Sequence, residues 1–328
     1  MLAVLLSIGG AGLASAQPPP PAAVVLTADA AARAGIAIPI DVTPLMGDAV
    51  VQLGIAPAGA GSEAVRRTAL RVLSAAPGGS AVAIADRIDD PVGGLTIAQA
   101  DGSQVRTALP GVAGAAFAPD GSWLAAVDGQ GRVWRVDPKG GSASRLADGP
   151  FAGALVFARD GALLVIEVAS VEAPYASRLV RIDPDGRHVA TVASIDEPLV
   201  LSAQPLSDGS LAAVVHPRGG GVAVRRVTPN GSSLITDLGR STADVAVSPD
   251  GGFVAYALAD DGVYLVDVAR RVTRRLGDGA MPRFAPGAAA LLVQSDRGSV
   301  VIGYDGQTIR AFASPATAWS TCVGGCQS

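Results

Sequence analysis

A unit of about 40 residues recurs six times, each copy an apolar strand, a Pro/Asp-Gly turn and a second apolar strand; this predicts an all-β propeller of four-stranded blades. The copies are AAFAPDGSWLAAV (115–127), LVFARDGALLVIEV (155–168), SAQPLSDGSLAAVV (202–215), VAVSPDGGFVAYAL (245–258), PRFAPGAAALLVQ (282–294) and the weaker VLSAAPGGSAVAIA (72–85). A second turn follows at the same place in each unit: ADGS (100–103), DPKGG (137–141), DPDG (183–186), TPNG (228–231), VARR (268–271) and YDGQ (304–307). The strand before that turn alternates in polarity, as in RVWRV (132–136), RLVRI (178–182) and VYLVD (263–267). Such alternation fits a strand with one face in a core, whereas the inner pair of strands is more continuously apolar.

Composition agrees with this class. Apolar residues make up 49% of the 328 and charged residues 16%, which excludes a disordered chain. The 41 glycines and 23 prolines match frequent turns. Glycine accepts a positive φ there, and aspartate hydrogen-bonds its own backbone two residues on. A net charge of −4 is not the basic footprint of a nucleic-acid binder. No mature segment reaches the 18 or so apolar residues of a membrane span.

The chain opens with MLAVLLSIGGAGLASA (1–16), an apolar stretch ending in the small-x-small site Ala14-Ser15-Ala16. This reads as a secretory signal peptide, so the chain is expected to be exported, periplasmic or extracellular. Gln17 stands where a bacterial lipid anchor needs cysteine. Residues 17–22 form a Pro-rich spacer, and 23–328 one propeller domain with clear repeats over 70–312. Cys322 and Cys326, in CVGGC, are a disulfide candidate for an oxidising compartment. Two sulfurs make an incomplete zinc site, and C-x3-C is not the redox spacing.

The [FV]-[AS]-P-D-G turn followed by an apolar strand resembles the WD40-like repeat of TolB-type propellers, over about residues 70–312. The resemblance implies protein–protein scaffolding in a cell envelope. Six repeats leave both chain ends over. AVVL (23–26), IAIPIDV (36–42) and AVVQLGIA (49–56) are expected as outer strands of a seventh blade, with ATAWSTCV (316–323) as its inner strand. Closure by both ends removes exposed edges. The alternative is a six-bladed ring with an N-terminal extension.

Propeller geometry puts the short Asp-Gly turns on one face and the irregular loops on the other. Asp101, Asp120, Asp160, Asp185, Asp208, Asp250 and Asp305 are expected as turn formers. Binding residues concentrate on loops held by a rigid scaffold. The loop-face candidates are therefore Arg87, Asp89, Asp90, Glu172, Tyr175, His216, Arg218, Asp296 and Arg297. Trp123 and Trp134 are expected as packing between blades.

No catalytic set is apparent. G-x-S-x-G, H-E-x-x-H, the P-loop and the dinucleotide fingerprint are missing. His188 and His216 fall on opposite faces and cannot share a site. No catalytic residue, metal ligand or cofactor is assigned. The expected function is a monomeric, non-catalytic binding scaffold for a protein, peptide or glycan, with neither nucleic acid nor membrane as partner. The alternative is a metal-dependent hydrolase or lyase with carboxylates around the central channel.

Overall fold

Turn chemistry registers the blades. The computed structural model describes residues 40–46, 48–53, 71–85, 94–109, 111–158, 160–170, 176–186, 189–192, 199–228, 230–240, 242, 244–258, 261–287, 289–295, 298–312 and 317–320. Two strands, β1 (Ile40–Leu45) and β2 (Asp48–Leu53), precede the repeats. Blade one is β3 (Arg71–Ala75), β4 (Ala81–Ala85), β5 (Leu95–Gln99) and β6 (Gln104–Thr107). Blade two is β7 (Val112–Phe117), β8 (Leu124–Asp128), β9 (Val133–Val136) and β10 (Ala143–Ala147). Blade three is β11 (Phe151–Phe157), β12 (Leu163–Ser170), β13 (Ala176–Ile182) and β14 (Val189–Thr191). Blade four is β15 (Leu199–Pro205), β16 (Leu211–His216), β17 (Ala223–Thr228) and β18 (Gly231–Asp237). Blade five is β19 (Asp244–Val247), β20 (Phe253–Leu258), β21 (Gly262–Asp267) and β22 (Val272–Gly277). Blade six is β23 (Ala280–Phe284), β24 (Ala290–Ser295), β25 (Gly298–Gly303) and β26 (Thr308–Phe312), and β27 (Thr317–Ser320) follows.

Each blade is an antiparallel meander whose strands pair in chain order. Burial follows position. The second strands β4 and β8 are buried throughout, while the outer strands β10 and β22 are largely exposed. Apolar side chains of one blade interdigitate with those of the next. Leu124 and Val136 of blade two pack with Leu95 and Ile97 of blade one, and Val254 and Val266 of blade five with Val214 and Val224 of blade four.

The expected seventh four-stranded blade is corrected. Among the described residues six four-stranded blades form, the count of the alternative reading. The terminal segments hold no copy of the Asp-Gly turn unit that registers four strands. In its place, the described residues of both chain ends form a three-stranded sheet in the order β1-β2-β27. Trp319 of β27 is opposite Val50 of β2, and β27 lies beside β3. Val50 and Leu45 pack on Ala285, Leu292 and Phe312 of blade six. The buried Asp48 carboxylate accepts the Gly287 N–H at 2.8 Å, tying this sheet to the first turn of blade six.

Candidate functional site

The turn aspartates form turns, as expected. Asp120 Oδ1 accepts the Ser122 N–H at 3.0 Å, and Asp208 Oδ1 the Ser210 N–H at 2.9 Å. Asp250 does the same for Gly252, Asp101 for Ser103 and Asp305 for Gln307. These bonds favour the charged form. The Ser122 backbone and hydroxyl hold Asp120 below the ordinary carboxylate range, and the Ser103 hydroxyl and backbone do so for Asp101. Asp128, 1% exposed, closes the β8–β9 turn. Burial pushes its carboxyl up, but hydrogen bonds from the Arg132 backbone, the Trp134 indole and the Arg132 side chain outweigh burial and hold it down.

The first strands of successive blades lie side by side on the inside of the ring, β3 beside β7, β7 beside β11, β11 beside β15 and β19 beside β23. Their sequences, VAGAAF in β7 and FAGALVF in β11 among them, are mainly Ala, Val, Gly and Leu. Asp244 is the one acidic residue on the first strands of the six blades, and its Oδ2 accepts the Met281 N–H at 3.3 Å. Among the described residues, no three His, Cys, Asp or Glu side chains gather as a metal site. Trp123 packs edge-on to Phe157 of the next blade at 4.9 Å, and Trp134 packs on the core between blades one and two.

On the loop face, His216 and Arg218 are the sequence-derived candidates that the structure describes. Arg87, Asp89, Asp90, Glu172, Tyr175, Asp296, Arg297, Cys322 and Cys326 lie outside the described residues, as does the segment 1–22. His216 ends β16 opposite Leu199 and is half-buried, while Arg218 is exposed on the following turn. That turn leans on the link to blade five, where the Leu238 N–H donates to the Val222 carbonyl at 2.9 Å. The link ends in the exposed Arg240.

Beneath this surface blade five stacks two tyrosines that the sequence reading missed, Tyr256 buried in the core between blades four and five and Tyr264 half-buried. Tyr256 and Tyr264 are opposite each other on β20 and β21, stacked at 5.3 Å with ring planes 10° apart. The Tyr264 hydroxyl donates to Asp261 Oδ2 at 2.8 Å, and Arg275 Nε donates to the Asp261 carbonyl at 2.8 Å. Burial raises the Tyr256 phenol and the nearby Arg240 charge opposes it, while the hydrogen bond to Asp261 raises Tyr264. Both phenols therefore stay neutral near pH 7. The signal was the symmetry of YALADDGVY (256–264), a hairpin with a tyrosine at the same distance on each side of its centre.

The turn face carries clefts between blades. One of about 400 Å³ lies between blades three and four, walled by Leu164, Leu211 and Val227, with the Asp160–Arg181 ion pair at its rim. Another of about 360 Å³ lies between blades five and six.

No family model and no curated protein matches the sequence. Solved structures match the backbone. TolB from Acinetobacter baumannii superposes with a TM-score of 0.55 at 17% identity, over 89% of this chain and 85% of that one. The Cps50 (Swd1) β-propeller domain of Myceliophteria thermophila superposes with a TM-score of 0.53 at 16% identity, over 85% and 97%. A puromycin hydrolase superposes with a TM-score of 0.55 at 18% identity, over 78% of this chain but 48% of its own length. At these identities the likeness carries the fold alone: the chain is a β-propeller similar to those of TolB and Swd1.

Proposed function

We propose that the chain is an exported, non-catalytic scaffold that binds a protein, peptide or glycan through its loop face. The observation that supports this best is the loop face of blades four and five, where Arg218 and Arg240 are exposed and Arg240 lies near the packed Tyr256–Tyr264 stack, whose Tyr256 is buried and Tyr264 half-buried. Arginine is among the residue types that dominate binding energy at interfaces, and a packed tyrosine pair beneath it gives the surface a rigid support. The commitment of the turn carboxylates and Asp128 to their own backbone also favours a structural use of acid groups over a chemical one. The TolB likeness agrees with a scaffold role.

The test compares residues 17–328 with the double variant Arg218→Glu/Arg240→Glu on a peptide and glycan panel and in pull-downs from an envelope fraction. Both side chains are exposed, so melting temperatures should agree within a few degrees. A ligand captured by the parent and lost by the variant supports the reading. Capture that survives the charge reversal overturns the assignment to this surface. Melting with calcium, zinc and chelator is the companion measurement, because a ligand of the native state raises stability by mass action. A metal shift reversed by chelator would favour the metal-dependent alternative.

A further inference from the structure

Four arginines fall within six residues, Arg270, Arg271, Arg274 and Arg275, in a chain whose net charge is −4. They lie on or just before β22, the outer strand of blade five. Two are answered by acids. Arg270 Nη1 is 2.8 Å from Asp267 Oδ2, and Arg275 pairs with Asp278. Arg274 pairs with no carboxylate among the described residues. It is opposite Leu265 in the β21–β22 ladder, and both line the cleft facing blade six. Charged residues on an outer strand often serve only to block edge-to-edge pairing. A guanidinium lining a cleft has a further use.

The far side of the cleft is Tyr304, whose ring lies 4.5 Å from Phe253 and 5.6 Å from Phe284. Its hydroxyl makes no hydrogen bond among the described residues; burial, and after it the charge of Asp250, raise its pKa, so it remains a donor, and Asp250 is itself engaged by the Ser248 hydroxyl and the Gly252 N–H. Asp267 is engaged by the Arg270 backbone and side chain, and Asp305 Oδ1 by the Gln307 N–H at 2.9 Å. Two donors that pair with no acceptor among the described residues thus line one cavity that also presents aromatic and apolar surface in Phe253, Leu265 and Val272. Val272 is 55% exposed, which is unusual for a valine on a strand and places an apolar lip on the opening. The volume, about 360 Å³, is that of a small-molecule site.

We propose that the cleft between blades five and six binds a small aromatic oxyanion, with the oxyanion on the Arg274 guanidinium and the Tyr304 hydroxyl and the ring against Phe253 and Leu265. A planar guanidinium matches a carboxylate or a phosphate ester in two-point geometry. Aromatic neighbours add an offset or edge-on ring contact. This site is independent of the loop face.

Calorimetric titration of the full chain with benzoate and with phenyl phosphate tests it. Benzyl alcohol and inorganic phosphate separate the two halves of the recognition. At least one aromatic anion should bind saturably at one site, with a Kd on the order of 0.1–1 mM, as suits so few contacts. The tighter of the two identifies a carboxylate or a phosphate ester as the better ligand. Benzyl alcohol and inorganic phosphate should each bind about tenfold more weakly or worse. Arg274→Gln should weaken the anion about tenfold and Tyr304→Phe about threefold, while Arg145→Gln on blade two leaves it unchanged. Equal binding of benzyl alcohol, binding indifferent to Arg274→Gln, or no saturable binding of either anion overturns the proposal.

Discussion

Gly114 of β7 and Gly153 of β11 face each other where the first strands of blades two and three come closest. A Cβ on Gly114 would sit 1.8 Å from the Gly153 carbonyl oxygen, and one on Gly153 would sit 2.4 Å from the Ala113 carbonyl oxygen. Neither glycine is kept for a positive φ; each is kept for the approach of two backbones. Gly114→Ala should therefore destabilise by about 1–3 kcal/mol, since the strands must separate to admit the methyl group. Gly219→Ala, on the exposed turn after His216, meets nothing within 4 Å and should stay within about 0.5 kcal/mol of the parent. Urea denaturation of the two variants measures the contrast. Equal stabilities would show that the close approach relaxes at little cost. Both strands carry an Ala-Gly-Ala, at 113–115 and 152–154, but it is the packing of blades two and three that sets the two glycines against each other.

Between elements, side chains tie one blade to the next. The Gln204 amide of β15 donates to the Val247 carbonyl of β19, and its oxygen accepts the Val247 N–H at 3.3 Å. At the equivalent place in blade one, Ser74 Oγ accepts the Phe117 N–H of blade two at 3.3 Å. Further out, Gln99 Nε2 donates to the Pro138 carbonyl at 2.6 Å and Arg135 Nη1 to the Pro184 carbonyl at 3.1 Å. Each donor comes from the end of a third strand, and each acceptor is the proline of the next blade's Asp-Pro turn. Gln204→Leu keeps the bulk and strands two backbone groups of Val247. It should cost about 1–2 kcal/mol in urea denaturation, the value of polar groups left without partners. A loss of a few tenths would mean that water replaces the amide. These ties were illegible beforehand, because they need the angle at which neighbouring blades meet.

At the scale of the molecule, the turn aspartates act together on acid stability. Asp101, Asp120, Asp128, Asp160, Asp208 and Asp250 are all held below the ordinary value of 3.8. For Asp101 and Asp208 the serine two residues on is the main cause, for Asp160 the Arg181 guanidinium, and for Asp250 the Ser248 hydroxyl. A carboxyl whose folded pKa is depressed stabilises the native state fully above its unfolded value, and loses that contribution as pH falls through the folded one. The urea midpoint should therefore hold between about pH 7 and 5 and decline below about pH 4. A decline that begins near pH 6 would point to other groups. Ring closure also belongs to this scale: β27 pairs with β2 and packs beside β3, so blade one does not present a bare inner flank.

The 40-residue spacing, the Asp-Gly turns and the alternating third strands determined the propeller and the engagement of the aspartates, because both are local. Glycine at a positive φ and an aspartate two residues before its N–H donor need only a few neighbours. The stacked tyrosine pair of blade five was half legible, as two tyrosines symmetric about one hairpin. The tertiary structure decided the rest: six four-stranded blades with a three-stranded closing sheet, the facing of Gly114 and Gly153, and the meeting of Arg274 with Tyr304. Those residues are far apart in the chain or on separate blades. Their juxtaposition follows from the twist and packing of whole blades, which no window of sequence contains.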